Sequence, residues 1–87
     1  MIFEATLDFH DLGKTNPDEI AFLTDNFIKE NWSQKLSPLL IITGKGTGLV
    51  KSQVLKEVKN NKLVKKFQTP TPDDGNEGAI ALWLVDC

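Results

Sequence analysis

The chain has 87 residues, 40% of them hydrophobic and 25% charged, which is the composition of a small globular domain. A single cysteine, Cys87, excludes an internal disulfide and favours a reducing, cytoplasmic setting. The first residues show neither a signal-peptide pattern nor an apolar run long enough to span a membrane. We therefore expect one domain over residues 1–87, away from membranes, as a monomer or as part of a longer protein.

The net charge of −2 is unevenly distributed along the chain. Residues 45–66 contain seven lysines and one acid, a charge of +6, whereas the remainder contains three lysines and eleven acids, a charge of −8. The seven are Lys45, Lys51, Lys56, Lys59, Lys62, Lys65 and Lys66. Such a segment suits a polyanion, although a solvated helix face has the same composition. Because there is no arginine, lysine charges and backbone amides would have to carry the binding.

Residues 2–10 alternate between apolar and polar side chains, which predicts a strand with one buried face. The apolar side is formed by Phe3, Ala5, Leu7 and Phe9. Asp8 and His10 fall on the polar side near the carboxyl end of the strand. We therefore expect these two side chains to be neighbours on an open surface.

A helix is predicted to follow from Asn16, where Asn16, Pro17 and Glu19 match the residues preferred at a helix start. Its buried stripe is predicted to contain Ile20, Leu23, Phe27 and Ile28. Residues 31–38 should end the helix and lead into Leu39–Ile42, four aliphatic residues typical of a strand covered on both sides.

A glycine loop comes next, with Gly44, Gly46 and Gly48 separated by Lys45 and Thr47. A loop that leads into a helix N-terminus offers backbone donors and partial positive charge to a phosphate. The spacing matches neither the P-loop nor the dinucleotide fingerprint. By itself the loop is equally consistent with a tight strand-to-helix turn.

The rest of the chain completes a two-layer arrangement. The second helix places Val50, Val54, Leu55 and Val58 on one stripe, and strands are predicted over residues 63–69 and 79–85 around a loop at 70–78. The order β-α-β-α-β-β predicts an α/β sandwich with a mixed four-stranded sheet, two helices on one face and the last strand in the interior. Because parallel strands end at the same edge, Asp8, His10 and the glycine loop should meet there.

These residues resemble the small MutS-related, or Smr, domain family. The family's opening Leu-Asp-x-His is matched by residues 7–10, its Thr-Gly-Lys-Gly by residues 43–46, and its glycine-rich closing turn by residues 75–79. Asp11 stands where the family usually has glycine, and Asn76 replaces one glycine of the turn. The resemblance covers nearly the whole chain and implies a fold like that of the C-terminal domain of initiation factor 3.

The resemblance also implies a function. Members bind nucleic acid, and several are endonucleases that nick DNA or cut messenger RNA on stalled ribosomes. It implies that Asp8 and His10 are the catalytic pair and that the Gly-Lys-Gly loop holds the phosphate backbone. The phosphate-binding candidates in and beside that loop are Thr43, Gly44, Lys45, Gly46, Thr47, Gly48 and Lys51.

Several functional alternatives stay open at this point. His10 is the only side chain expected to change charge near neutral pH, so it is the candidate proton shuttle, and no cofactor is required. A rival site would hold Mg²⁺ or Mn²⁺ between Asp8, His10 and Asp11. The chain could instead be a non-catalytic module for nucleic acid or the ribosome, or a pocket for a small phosphorylated ligand. Trp32 and Trp83 could stack on bases, but such positions more often serve packing.

Overall fold

A computed structural model describes residues 2–13, 16–44, 48–70 and 78–86, with only the backbone of Asp11 and Leu12. Four strands and three helices lie within these ranges. In chain order they are β1 (Ala5–Asp8), α1 (Phe9–Leu12), α2 (Pro17–Ser33), β2 (Leu39–Ile42), α3 (Leu49–Asn60), β3 (Val64–Gln68) and β4 (Ala79–Leu84). None of the helices is both long enough and apolar enough to cross a membrane, within the described ranges.

The strands form one mixed sheet in the order β1-β2-β4-β3. β1 and β2 pair in parallel, with Asp8 opposite Ile42, and β4 is antiparallel to both of its neighbours. β3 therefore runs in the same direction as β1 and β2. The sequence-based prediction of a mixed four-stranded sheet with an interior last strand is confirmed.

The core lies between one face of the sheet and the two long helices. It joins Ile20 and Ile28 of α2, Val54 and Val58 of α3, and alternate residues of the central strands. Those strand residues are Leu39, Ile41, Ile80, Leu82 and Leu84. Because α2 and α3 both pack on this set and contact each other, the two layers predicted from the sequence are confirmed.

The start of α2 agrees with its sequence signature. Asn16 Oδ1 accepts hydrogen bonds from the amides of Asp18, at 2.8 Å, and Glu19, at 3.4 Å. The buried stripe, however, is Ile20, Thr24, Ile28 and Asn31, while Leu23 and Phe27 are only half-buried. α2 ends at Ser33, within the segment 31–38 that was predicted to end it.

The first predicted strand is wrong at its carboxyl end. Extended pairing stops at Asp8, and residues 9–12 form α1, closed by a hydrogen bond from the Gly13 amide to the Phe9 carbonyl at 3.1 Å. Phe9 is 2% exposed and belongs to the core, as the alternation predicted. His10 is exposed on the turn of helix, so it does not share a strand face with Asp8.

Candidate functional site

The candidate site is built at the edge where β1, β2 and β3 all end. Asp8 is the last residue of β1 and is half-buried, and Thr43 and Gly44 follow β2 directly. α1 continues from β1 at this edge and contacts β2. The main chains of the two motifs therefore both follow parallel strands that end at this edge, as the sequence predicted.

His10 lies directly against Gly44. A Cβ placed on Gly44 would be 3.3 Å from Cδ2 of the His10 ring and 3.9 Å from its Cβ and Cγ. Gly44 also has a φ of +80°, a backbone angle that residues other than glycine rarely adopt. Glycine is therefore required at this position both for its backbone angle and for the space that the imidazole occupies.

The amides that begin the loop are held by the residue that leads into β4. Both the Thr43 and the Gly44 N–H groups donate to the carbonyl of Gly78, at 2.7 and 3.0 Å. Thr43 is buried, and its hydroxyl lies 3.5 Å from the Gly44 carbonyl. These two residues thus fix the path of the chain beside His10, and in this arrangement their N–H groups are directed to protein rather than to a ligand.

The start of α3 differs in charge from the start of α2. Gly48, at a φ of +86°, caps α3 with no side-chain hydrogen bond, and the first turn contains no acid. Lys51 lies in that turn and is half-buried. In α2 an asparagine cap is followed by Asp18 and Glu19. The positive end of the helix dipole is therefore reinforced at α3 and offset at α2.

Three of the candidate residues, Lys45, Gly46 and Thr47, lie outside the described residues. The proposed metal set is incomplete as well, because the Asp11 side chain is not described. Among the side chains that are described, no three histidine, cysteine, aspartate or glutamate residues come together as metal ligands would. The closing turn matched to the family, residues 75–79, is described only from Gly78.

Both tryptophans are half-buried. Trp83 is half-buried in β4, and its ring is covered by Lys66, with Nζ 4.5 Å from the ring centroid. Trp32 packs against the core. It also lines a cavity of about 270 Å³ at the opposite edge of the sheet, which contains none of the candidate site residues. The candidate site residues are thus separated from this cavity by the length of the strands.

Two local features near the site were not predicted from the sequence. Gly13, with a φ of +65°, follows α1, the turn of helix that contains His10. Glycine after a short helical segment is a known termination signal and could have indicated the turn. Gly78 belongs to the closing turn matched to the family, but the hydrogen bonds that its carbonyl accepts could not be predicted, because a main-chain acceptor does not depend on residue type.

The chain is a small α/β domain whose candidate site lies at one edge of the sheet. There, a histidine on a helical turn packs against a glycine that follows a parallel strand. The chain belongs to the Smr domain family, whose match extends over residues 7–85. The family predicted from the two sequence motifs is confirmed.

The proteins to which this sequence is similar are much longer than the chain itself. The chain is 32% identical over 74 residues to endonuclease MutS2 of Caldicellulosiruptor saccharolyticus, which is 85% of this chain and 9% of that protein. It is 40% identical over 44 residues to endonuclease MutS2 of Ligilactobacillus salivarius, covering 51% of this chain and 6% of that protein. The chain thus spans about a tenth of the curated relatives that it matches.

Two solved structures share the fold. The Smr domain of Thermus thermophilus MutS2 superposes with a TM-score of 0.80 at 24% identity, covering 97% of this chain and 99% of that one. YdaL, a stand-alone small MutS-related protein from Escherichia coli, gives a TM-score of 0.80 at 25% identity, covering 91% and 63%. The predicted fold class is confirmed by these similarities.

Proposed function

We propose that this Smr domain binds nucleic acid and cleaves its phosphodiester backbone, cutting RNA or nicking DNA. The observation that carries the proposal is the contact between His10 of α1 and Gly44, which supports a proton-transfer role for His10 beside the chain that leads from β2 to α3. The naming of its relatives as endonucleases supports the same activity. Asp8 and His10 are the catalytic residues of this proposal.

The phosphate lies at the start of α3. The glycine cap, the positive end of the helix and the Lys51 side chain form an environment that favours an anion. Lys45, Gly46 and Thr47 complete the loop between Gly44 and Gly48. Backbone amides and lysine charges there stabilise the negative charge that accumulates on the phosphoryl oxygens in the transition state.

With RNA, the nucleophile is the 2′-hydroxyl of the substrate. Its oxygen attacks the adjacent phosphorus and loses its proton, and the bond from phosphorus to the 5′-oxygen breaks. The products are a 2′,3′-cyclic phosphate and a 5′-hydroxyl, whose oxygen takes up a proton. His10 performs one of these two proton transfers, and water or Asp8 performs the other, since one histidine cannot do both at once.

With DNA there is no 2′-hydroxyl, so water must attack and a divalent cation becomes useful. A metal would polarise the phosphoryl oxygen and lower the pKa of bound water. Asp8, His10 and Asp11 are the residues that would hold Mg²⁺ or Mn²⁺. The RNA route needs no metal, which gives a clear experimental distinction between the two.

The experiment is cleavage of end-labelled single-stranded RNA and DNA, in magnesium and in chelator. His10→Ala is compared with the unchanged protein, and Asp8→Asn with Asp18→Asn, a matched change at an exposed carboxylate of α2. We expect His10→Ala to lower the cleavage rate about 10²–10⁴-fold, the usual contribution of a general acid or base, with binding largely retained.

The products and the metal requirement decide the chemistry. RNA cut in chelator to 2′,3′-cyclic ends supports the proton-transfer route, whereas DNA nicking that needs magnesium supports the metal site. Binding without cleavage of either substrate would refute the enzyme and leave a nucleic-acid-binding module. Tight competition by a mononucleotide would instead indicate a small-ligand pocket.

A further inference from the structure

A small cavity lies at the same sheet edge as the candidate site, on the helix side of the sheet. It has a volume of about 140 Å³. Its lining consists of Lys51, Leu55, Phe67, Gln68, Thr69 and Ile80. Drug-sized ligands usually occupy pockets of about 300–1,000 Å³, so this cavity suits a single planar ring rather than a larger molecule.

The position of the cavity connects it to the start of α3. Lys51, in the first turn of α3, belongs both to the phosphate-binding candidates and to the cavity lining. The opposite wall is the end of β3, which is two strand positions from β2 in the sheet. That separation is roughly 10 Å, which is two strand spacings.

The lining has the mixture of surfaces that a nucleobase requires. Phe67 is half-buried, packs against the core and contributes an aromatic ring, and Ile80 supplies an apolar floor. Thr69, exposed just after β3, carries a hydroxyl that can both donate and accept a hydrogen bond. Gln68 pairs with Ala81, so its side chain lies on the other face of the sheet and only its main chain borders the cavity. Single-stranded nucleic acid is commonly held by this combination of an aromatic side chain and nearby positive charge.

We propose that the cavity between α3 and the end of β3 binds one base of a single nucleic-acid strand whose phosphate lies at the α3 N-terminus. The proposal rests on the proposed function, because the phosphate position comes from it. It adds a base contact and makes Phe67 and Thr69 the residues that favour a base-bearing strand over bare backbone. Trp83, whose ring is covered by Lys66, has no part in it.

The test compares two non-cleavable 2′-O-methyl oligoribonucleotides with equal numbers of phosphates. One carries bases throughout, and the other has abasic residues at its three central positions. Dissociation constants are measured for the unchanged chain, for Phe67→Leu, and for the matched control Phe22→Leu, which alters an exposed phenylalanine of α2. Leucine keeps apolar volume at position 67 while it removes the ring.

We expect the unchanged chain and Phe22→Leu to prefer the base-bearing strand about 5- to 100-fold, the range that base–aromatic stacking provides. Phe67→Leu should lose most of that preference and keep its affinity for the abasic strand. Equal affinity of the unchanged chain for both strands would overturn the base pocket and leave the proposed function intact. Failure to bind either strand would instead refute the proposed function.

A second variant keeps the test decisive if Phe67→Leu weakens binding by disturbing the fold, since Phe67 packs against the core. Thr69→Val changes an exposed side chain just after β3, outside the core cluster, and removes the hydroxyl at the cavity. If Phe67→Leu weakens both strands equally, Thr69→Val decides the matter. Reduced preference for bases in that variant supports the pocket, and an unchanged preference overturns it.

Discussion

At the scale of single residues, the contact between His10 and Gly44 is the most sensitive point of the proposed site. Ala at position 44 would combine two effects: strain from the positive φ of +80° and a Cβ 3.3 Å from the imidazole. Gly13→Ala is a matched control, because Gly13 has a φ of +65° and nothing within 4 Å of its Cβ position. The pair separates backbone strain from displacement of His10.

We expect each alanine to reduce the free energy of unfolding by about 1–2 kcal/mol, the strain of a left-handed conformation. Gly44→Ala should in addition lower the cleavage rate by roughly tenfold or more, because displaced catalytic groups react slowly. Urea denaturation and the RNA cleavage assay provide the two measurements. Equal activity in the two variants would show that the contact with His10 does not matter for catalysis.

Thr24 is a second informative residue, for stability rather than activity. It is fully buried on the core side of α2, and its hydroxyl has no hydrogen-bond partner in the described part of the chain. Thr24→Val keeps the volume and removes the unpaired polar atom, so we expect a gain of about 1 kcal/mol in the free energy of unfolding.

The control for this prediction is Thr24→Ser, which keeps the hydroxyl and removes a buried methyl group. It should lower the midpoint of urea denaturation, in the direction opposite to valine. If valine were the destabilising change, the hydroxyl of Thr24 would have to make a hydrogen bond that stabilises the core.

At the scale of elements, the start of α2 depends on one side chain. Asn16 Oδ1 accepts from two amides of the first turn, so Asn16→Ala should cost about 1 kcal/mol of stability. Asn16→Asp keeps the acceptor and should be close to the unchanged chain in urea denaturation. Equal losses in both variants would mean that the asparagine contributes through something other than capping.

The elements also show where sequence patterns succeed and fail. Periodicity and capping residues predicted α2, β2 and α3, because each contains a clear apolar stripe or run. Alternation predicted the burial of Phe9 but extended β1 too far, since a side chain can enter the core from a strand or from a helical turn. The contact of His10 with Gly44 depends on that turn. The motifs therefore predicted that His10 and the glycine loop share one edge of the sheet, but they did not predict how the two contact each other.

At the scale of the whole molecule, the uneven charge predicts how binding responds to salt. Lys56 and Lys59 on α3 and Lys65 on β3 are exposed within the basic segment. Replacing each by Gln should weaken single-strand binding, because fewer phosphates are then neutralised by the protein. The slope of log affinity against log salt should become shallower by about 0.7 for each phosphate that the lysine had neutralised.

The matched controls are Lys29→Gln and Lys35→Gln, which remove exposed lysines of and just after α2, outside the basic segment. Affinities at several salt concentrations, measured with one non-cleavable strand, provide the slopes. Identical slopes for the two groups of variants would mean that Lys56, Lys59 and Lys65 neutralise no phosphate. Phosphate binding would then be assigned to the start of α3 alone.

The carbonyl of Gly78 has a consequence for how this family can diversify. It accepts from the amides of Thr43 and Gly44, so two main-chain hydrogen bonds join the residue that leads into β4 to the chain beside His10. Side-chain replacement cannot remove a main-chain acceptor. These two hydrogen bonds therefore do not depend on which side chain stands at position 78. Insertions or deletions that shift this carbonyl would remove the acceptor from both amides, whereas a change of side chain leaves the acceptor in the chain.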